Sequence, residues 1–287
     1  TATSATCVTG LVVKDTGQDF TFMGQVIILV LIQLGGLGIM VSGAVFALLL
    51  GQAFTIRESV AMQDLLSAQT LSRIGNMIFF IFVSTVVIEA AGAILLYPMW
   101  DNIPAWEGEG HSQWFCSIFH SISAFCNAGF GLFSDSLIRY NRQWQTYAVV
   151  CPLIILGGLG FGVLYNLVNM GGNRTVRFFK KRFRKPHQFQ MELPQRMRLQ
   201  TKVVLIISAV LIVFGLVTIL LFERYTGRSS AGRNPDVLGA LFQSVTARTA
   251  GFNTVEIAAM TPSSKIVLML LMFIGGSPGS AAGGIKT

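Results

Sequence analysis

The chain has 287 residues, of which 52% are hydrophobic and only 12% charged, whereas an ordinary soluble domain carries about 25% charged residues. These values exclude a disordered chain, because disorder requires few apolar residues, and they indicate a membrane protein. The net charge of +8 is unevenly spread, since ten of the 21 Lys and Arg residues lie between Asn169 and Lys202. A basic run between two apolar stretches is typical of a cytoplasmic loop rather than a nucleic-acid patch.

Five apolar segments approach the length of about 20 residues that crosses a bilayer as a helix. The last of them shortens before a glycine-rich tail and can span only together with that tail. Two shorter amphipathic stretches, Trp114–Phe125 and Val237–Ala247, suit re-entrant half-helices. The five apolar segments are Gln25–Leu50, Ile74–Tyr97, Tyr147–Asn169, Val203–Phe222 and Ser264–Gly276.

A loop of small residues occurs three times along the chain, as SATCVTGL, SAFCNAGF and VTARTAGF. The loop glycines are Gly10, Gly129 and Gly251, which are separated by 119 and 122 residues. An apolar helix follows each loop and runs into a pair of glycines. These pairs keep step with the loops, so the sequence predicts a repeated unit of helix, re-entrant loop and helix. The glycine pairs begin at Gly35, Gly157 and Gly275.

Unwound backbone at membrane depth survives only where it is buried in protein or lines a water-filled cavity. Its carbonyl oxygens can then replace the hydration shell of a permeating cation. A glycine permits the backbone conformation that turns such oxygens inward. Several such loops around one axis predict a cation pore, although small residues that merely let helices pack closely are the alternative. The expected ligands are the backbone oxygens of Val8, Thr9, Gly10, Asn127, Ala128, Gly129, Thr249, Ala250 and Gly251.

Three polar residues fall within apolar surroundings. Arg248 occupies the place of a loop cysteine. It either repels cations or pins the filter or, as the favoured interpretation, forms a salt bridge that ties the short helix to its neighbour. Glu89 lies within an apolar run and is expected to pair with another group rather than to bind an ion. His120 is expected to be a hydrogen-bonded structural residue. The cysteines and histidines show neither disulfide nor metal-ligand spacing.

The motifs TATSATCVTGL, FCNAGF, TARTAGF and FIGGSPGSAAGGIKT resemble the Trk/Ktr/HKT superfamily of potassium transporters, in particular the bacterial Ktr-type (KtrB) membrane subunit. The resemblance covers essentially the whole chain. It implies an all-α integral membrane fold in which repeated M1–P-loop–M2 units surround a pseudo-fourfold pore. Three repeats are expected here, the first partial, with the fourth absent, so that this piece alone does not close the pore. Potassium, with sodium possible, is the implied ion, and no cofactor is expected.

The resemblance also interprets the glycine-rich tail. In the family, the second helix of the third repeat is broken by a loop that obstructs the pore below the filter. The tail is expected to be that gate loop, either with Lys286 as an electrostatic element or with Lys286 simply reaching the membrane surface. The gate-loop residues are Gly275, Gly276, Gly279, Ser280, Gly283, Gly284 and Lys286.

The expected division is 1–73 for repeat 1, 74–202 for repeat 2 and 203–287 for repeat 3. The resemblance implies a homodimer in the bacterial inner membrane, in contact with lipid and with a cytosolic nucleotide-binding regulatory subunit of the KtrA or TrkA type. No nucleic-acid partner is expected. A sodium-permeable or sodium-coupled transporter is the alternative function, although Gly10 favours potassium by the same resemblance. A membrane enzyme lacks support, because HExxH and GxSxG motifs and an intramembrane carboxylate pair are missing from the sequence. A structural scaffold would not explain the re-entrant loops.

Overall fold

The computed structural model describes residues 1–38, 74–100, 112–171, 199–225 and 236–286. These segments are helical, and the only β-bridge among them is an isolated one between Ile274 and Ile285. The helices are α1 (Ala2–Thr6), α2 (Phe22–Leu37), α3 (Ile74–Leu96), α4 (Gln113–Phe125), α5 (Cys151–Leu159), α6 (Phe161–Gly171), α7 (Leu199–Tyr225), α8 (Val237–Thr246) and α9 (Pro262–Phe273). The part of the predicted span Gln25–Leu50 beyond residue 38 lies outside the described residues. So do the segment Gly51–Arg73, which the sequence predicts to be a polar loop, and most of the basic loop, up to residue 198.

Three helices begin directly after a residue whose side chain caps the helix N-terminus. The hydroxyl oxygens of Thr21, Ser112 and Thr261 each accept a hydrogen bond from the backbone N–H three residues ahead, at 3.2–3.3 Å. Such N-caps satisfy one of the amide groups that a helix start leaves unpaired. The caps therefore fix the first turns of α2, α4 and α9.

Two helices have the length and apolar composition of a membrane span, namely α3 with 23 residues and α7 with 27 residues. At a rise of about 1.5 Å per residue, both exceed the roughly 30 Å of a bilayer core. Their outer surfaces remain apolar, with Phe79 and Val87 exposed on α3 and Ile206 and Val213 on α7. These surfaces are typical of contact with lipid, and both helices lie where the sequence predicted spans.

The predicted span Tyr147–Asn169 is not one straight helix. A π-helical turn at Thr146–Val150 leads into α5, and the axis then turns by 106° between α5 and α6. The turn occurs at Gly160, whose φ of 85° is outside the helical region and is open mainly to glycine. The prediction of an uninterrupted helix was therefore wrong at this glycine.

The outer helices α3 and α7 contact the short helices α4 and α8 in the same way. Ser121 of α4 donates to the carbonyl of Glu89 at 2.7 Å, and Ser244 of α8 donates to the carbonyl of Ile212 at 2.7 Å. Each contact sits beside a glycine of the outer helix, Gly92 or Gly215, where an added Cβ would lie 2.4 or 2.3 Å from the serine hydroxyl. Matching contacts 123 residues apart support a repeated unit.

The inner helices α2 and α5 also contact the short helices through equivalent glycines. A Cβ added to Gly35 would lie 2.1 Å from the carbonyl oxygen of Thr6, and one added to Gly157 would lie 1.8 Å from that of Phe125. Thr6 and Phe125 each precede a loop cysteine. In these two glycine pairs, the first glycine therefore allows the inner helix to approach the end of a short helix.

We predict that Gly157→Ala destabilises the fold, because its methyl group would overlap the Phe125 carbonyl and force backbone movement at a cost of about 1–3 kcal/mol. The matched control is Gly158→Ala, whose Cβ would meet only the Asn127 amide nitrogen, at 3.6 Å. Thermal unfolding of the full-length protein in detergent measures both. Equal melting temperatures for the two variants would contradict the contact.

Candidate ion-binding site

The three predicted filter loops share one backbone conformation. The second residue before each glycine has a positive φ, at 53° for Val8, 55° for Asn127 and 68° for Thr249. The glycines follow with φ of 78°, 69° and 83°, and the residue between does not have a positive φ. Positive φ is strained for β-branched residues, and such strain concentrates at ligand sites. Three copies of one strained pattern indicate a common role.

The loops converge on one another. A Cβ added to Gly10 would lie 2.8 Å from the carbonyl oxygen of Ala128, and one added to Gly129 would lie 2.7 Å from that of Ala250. The Cα of Gly129 is in turn 3.1 Å from a Cβ built on Gly251. Loops that are about 120 residues apart in sequence therefore meet at their glycines, where a larger side chain would collide with neighbouring backbone.

Six of the nine loop amide groups donate hydrogen bonds to the preceding short helices, whereas the loop oxygens accept none from the described residues. Thr9 and Ala128 donate to the carbonyls of Ser4 and Ser123, at 2.9 and 2.8 Å, and Ala250 donates to that of Thr246 at 3.0 Å. Within the described part of the chain, the backbone oxygens of all nine predicted ligands accept no hydrogen bond. The arrangement leaves electronegative oxygens available to a cation.

Side-chain hydroxyl groups hold the carbonyls just beyond the glycines. Ser123 donates to the oxygen of Phe130 and Thr246 to that of Phe252, both at 2.7 Å. All four residues are at least 94% buried. The second and third loops are therefore each held, just beyond the glycine, by a hydroxyl group from the short helix that precedes the loop.

The second loop has a buried polar group behind it. Cys126 directly precedes Asn127, and its Sγ lies 3.9 Å from Oε1 of Glu89 and 4.0 Å from Oε1 of Gln33. Glu89 is only 7% exposed. Glu89 is paired, as expected, but with neutral side chains rather than with a charged group. The only ion pair among the described residues joins Asp135 and Arg139.

His120 is structural in this arrangement, as the sequence predicts. Its Nδ1 is 2.8 Å from the carbonyl oxygen of Cys116, and its ring stacks with Phe133 at a centroid distance of 5.3 Å. The indole of Trp100 lies 4.8 Å away on centroids. These contacts anchor the short helix α4 in an aromatic cluster.

Arg248 differs from its predicted role. The favoured expectation was a salt bridge, but among the described residues its partner is a backbone oxygen: Nη2 donates to Gly275 at 3.2 Å. The side chain is 9% exposed, and Nε has no partner there. The third filter loop is therefore joined to the glycine-rich tail.

The glycine-rich tail forms a hairpin after the last turn of α9. Gly275 N–H donates to Ile285 at 3.0 Å, and Gly276 N–H donates to Gly283 at 3.2 Å. Gly279 and Gly284 have positive φ, at 68° and 75°, as the turns of this hairpin require. Lys286 folds back and donates to the carbonyl of Ala282. The Lys286 side chain is therefore held by its own loop. Both predicted roles, as an electrostatic element of the gate or as a residue that reaches the membrane surface, have this position as their starting point.

The hairpin docks on the break between α5 and α6. Ser277 donates its N–H to Gly158 at 3.0 Å and its hydroxyl to Leu159, and Ala281 N–H donates to Gly157 at 3.2 Å. In return, Phe161 N–H donates to Gly279 at 2.9 Å. Ser280 sits in the turn of this hairpin. Two interrupted helices thus satisfy each other's backbone groups.

Sequence reasoning missed several of these residues. The serine and glycine contacts at Ser121 and Ser244, and the hydroxyl fastenings at Ser123 and Thr246, carry a signal only when the repeats are aligned on one another. Ser277 lies within the glycine-rich tail, where its role was not predicted. The described residues include no cluster of three or more His, Cys, Asp or Glu side chains suited to a metal, which leaves the backbone oxygens as the candidate ligands.

Comparison with known proteins identifies the class. A family model described as TrkH, cation transport protein, matches residues 1–287. The chain therefore belongs to the TrkH family of cation transport proteins. The fold agrees, because the potassium transporter TrkH from Vibrio parahaemolyticus superposes with a TM-score of 0.65 at 21% identity, over 99% of this chain and 50% of that one.

Curated relatives narrow the resemblance. The chain is 35% identical to Ktr system potassium uptake protein B of Vibrio alginolyticus, over all of this chain and 58% of that protein. It is 34% identical to the protein of the same name from Bacillus subtilis, covering 59% of it. The potassium/sodium uptake protein NtpJ of Enterococcus hirae is also 34% identical, with 58% covered. The chain thus spans less than two thirds of the length of these relatives.

We predict that Ser123→Ala changes the cation selectivity of the full-length protein, because the Phe130 carbonyl loses its fastening beside the filter loop. Ser121→Ala is the matched control, since it also removes a buried 2.7 Å hydrogen bond from α4 but away from the loop. Both variants should lose about 1–3 kcal/mol of stability. Thermal unfolding and sodium competition against potassium uptake separate the two effects; a selectivity change in both would contradict the assignment.

Proposed function

We propose that this chain is the ion-conducting part of a potassium uptake system, in which the three filter loops supply backbone oxygens to a dehydrated potassium ion. The observation that carries the proposal is the convergence of three loops with one strained backbone pattern and unoccupied oxygens. Family membership supports cation transport, and the names of the Ktr relatives support potassium.

The preceding short helices add to this site. Helices α4 and α8 end within a few residues of Asn127 and Thr249. The C-terminal end of a helix carries a partial negative charge of about half an elementary charge. The end of α4 therefore favours a cation near the loops, without a carboxylate that would bind it too tightly for release, whereas the partial charge at the end of α8 is offset by the adjacent Arg248.

The glycine-rich hairpin is the proposed gate. It contacts both the third filter loop, through Arg248 and Thr249, and the break after Gly157 and Gly158. Its contacts are a handful of individual hydrogen bonds, each of which contributes about 0.5–1.5 kcal/mol net. Such a segment can leave its docked position where water takes over these hydrogen bonds, including those that satisfy the break between α5 and α6.

The wider assembly follows from the same proposal. The full-length protein is placed in the cell membrane, as a homodimer that meets a cytosolic nucleotide-binding subunit of the KtrA or TrkA type and surrounding lipid. The phrase "Ktr system" in the names of two relatives supports a multi-component arrangement. Sodium permeation or coupling is the alternative function, supported by the potassium/sodium name of the Enterococcus relative.

We predict that Gly129→Ser weakens the discrimination between potassium and sodium. The residue has a φ of 69°, and its new Cβ would lie 2.7 Å from the Ala250 oxygen, so the loop oxygens must shift. Gly131→Ser is the control, because its nearest neighbour would be a His120 nitrogen at 3.5 Å. Uptake of potassium into proteoliposomes under sodium competition measures the effect. Unchanged competition in Gly129→Ser would count against the filter assignment.

We predict that deletion of part of the segment Gly279–Gly284 raises potassium flux through the full-length protein, because the hairpin no longer obstructs the path below the filter. Ser277→Ala offers a milder test, since it removes the hydroxyl contact with Leu159 and keeps the chain length. Flux into proteoliposomes is compared with the amount of folded transporter. A folded deletion variant with wild-type flux would reject the gate.

A further inference from the structure

Arg248 is a buried cation beside a site that binds cations. It follows the C-terminal end of α8 by two residues and directly precedes Thr249 of the third filter loop. Among the described residues it has no acidic partner, and its guanidinium donates to the carbonyl of Gly275. An unpaired buried charge is costly, so the surrounding groups must offset that cost.

The C-terminal ends of two helices offset the cost of burying the Arg248 charge. Helix α8 ends at Thr246 and helix α9 ends at Phe273, two residues before the carbonyl that Arg248 binds. Helix C-terminal ends attract positive charge. The end of α9 is itself held by the hairpin, because Ile285 N–H donates to the Phe273 carbonyl at 3.2 Å. The stabilisation of Arg248 therefore depends on the closed hairpin and on the position of its first residue, Gly275.

A second contact joins the same two elements. Gly283 N–H, on the returning strand of the hairpin, donates to Oγ1 of Thr249 at 3.2 Å. Thr249 is a β-branched residue with a φ of 68°, a conformation that persists only where the surrounding structure holds it. Both strands of the hairpin are thus bound by consecutive residues of the third filter loop.

We propose that Arg248 is a positioning residue that couples the gate hairpin to the third filter loop, so that the two change conformation together. This inference rests on the proposed function for its consequence in transport, although the physical coupling itself does not require flux. By linkage, a change in ion occupancy of the filter alters hairpin opening, and hairpin opening alters ion affinity. The competing role, electrostatic repulsion of the permeating ion, would act whether or not the hairpin is present.

Hydrogen exchange of the full-length protein in detergent tests the coupling without transport. Arg248→Gln is expected to speed exchange across Phe273–Lys286 by about tenfold or more, because it removes a charge-assisted hydrogen bond to Gly275, which is roughly twice as strong as a neutral one. Arg248→Lys keeps the charge but loses the planar fork, and an intermediate increase is expected. Arg139→Gln, which breaks only the exposed pair with Asp135, leaves the exchange unchanged. Wild-type exchange in both Arg248 variants would overturn the coupling.

Potassium flux then separates coupling from repulsion. Arg248→Gln is measured with the intact hairpin and with the hairpin shortened within Gly279–Gly284. Coupling predicts higher flux in the intact background and no further increase in the shortened one, whereas an equal increase in both backgrounds shows repulsion and contradicts the proposal. If the wild-type protein carries no potassium, the proposed function fails, and the exchange experiment still decides the coupling.

Discussion

The structure depends on backbone oxygens that an apolar chain leaves without hydrogen-bond donors. At membrane depth such oxygens are costly unless they are buried with a partner or line a polar cavity. The three predicted filter loops direct most of their amide groups back to the short helices and leave their oxygens unoccupied within the described residues. Ser123 and Thr246 satisfy the oxygens immediately beyond. In the second and third loops, the run of unoccupied oxygens therefore ends at the glycine, so that it coincides with the residues where a dehydrated cation can supply the missing interaction.

The same constraint explains the breaks in the inner helices. Where α5 ends at Leu159 and α9 ends at Phe273, terminal carbonyl and amide groups lose their intrahelical partners. The hairpin and the bend between α5 and α6 form hydrogen bonds with each other's free backbone groups, through Ser277, Ala281 and Phe161. Each interruption is tolerated because the other one is present. A change at either place therefore affects both, which gives the proposed gate a route to the helix that supports the second filter loop.

Much of this arrangement can be predicted from the sequence, because repetition carries it. Glycines in step across the repeats predicted the loops and their meeting point, and the amphipathic stretches Trp114–Phe125 and Val237–Ala247 predicted two of the short helices. The positive φ values of Val8 and Thr249 were not predictable, since β-branched residues disfavour this conformation and only the tertiary context imposes it. Nor was the partner of Arg248, because a backbone carbonyl leaves no signature in the sequence. The bend at Gly160 was missed because hydropathy records apolar length and is insensitive to the direction of the helix axis.

The repeats are equivalent in backbone but not in their polar surroundings, and the difference indicates where regulation enters. Ile212 of α7 occupies the place that Glu89 has in α3, since both carbonyls receive a serine hydroxyl from the short helix. Conversely, Arg248 occupies the place of Cys126. Ligands drawn from the backbone can stay uniform around an ion while the side chains behind them differ. In the proposed function, conduction requires only the repeated part, whereas the proposed coupling to the hairpin requires the asymmetric part, so the two can change independently in sequence.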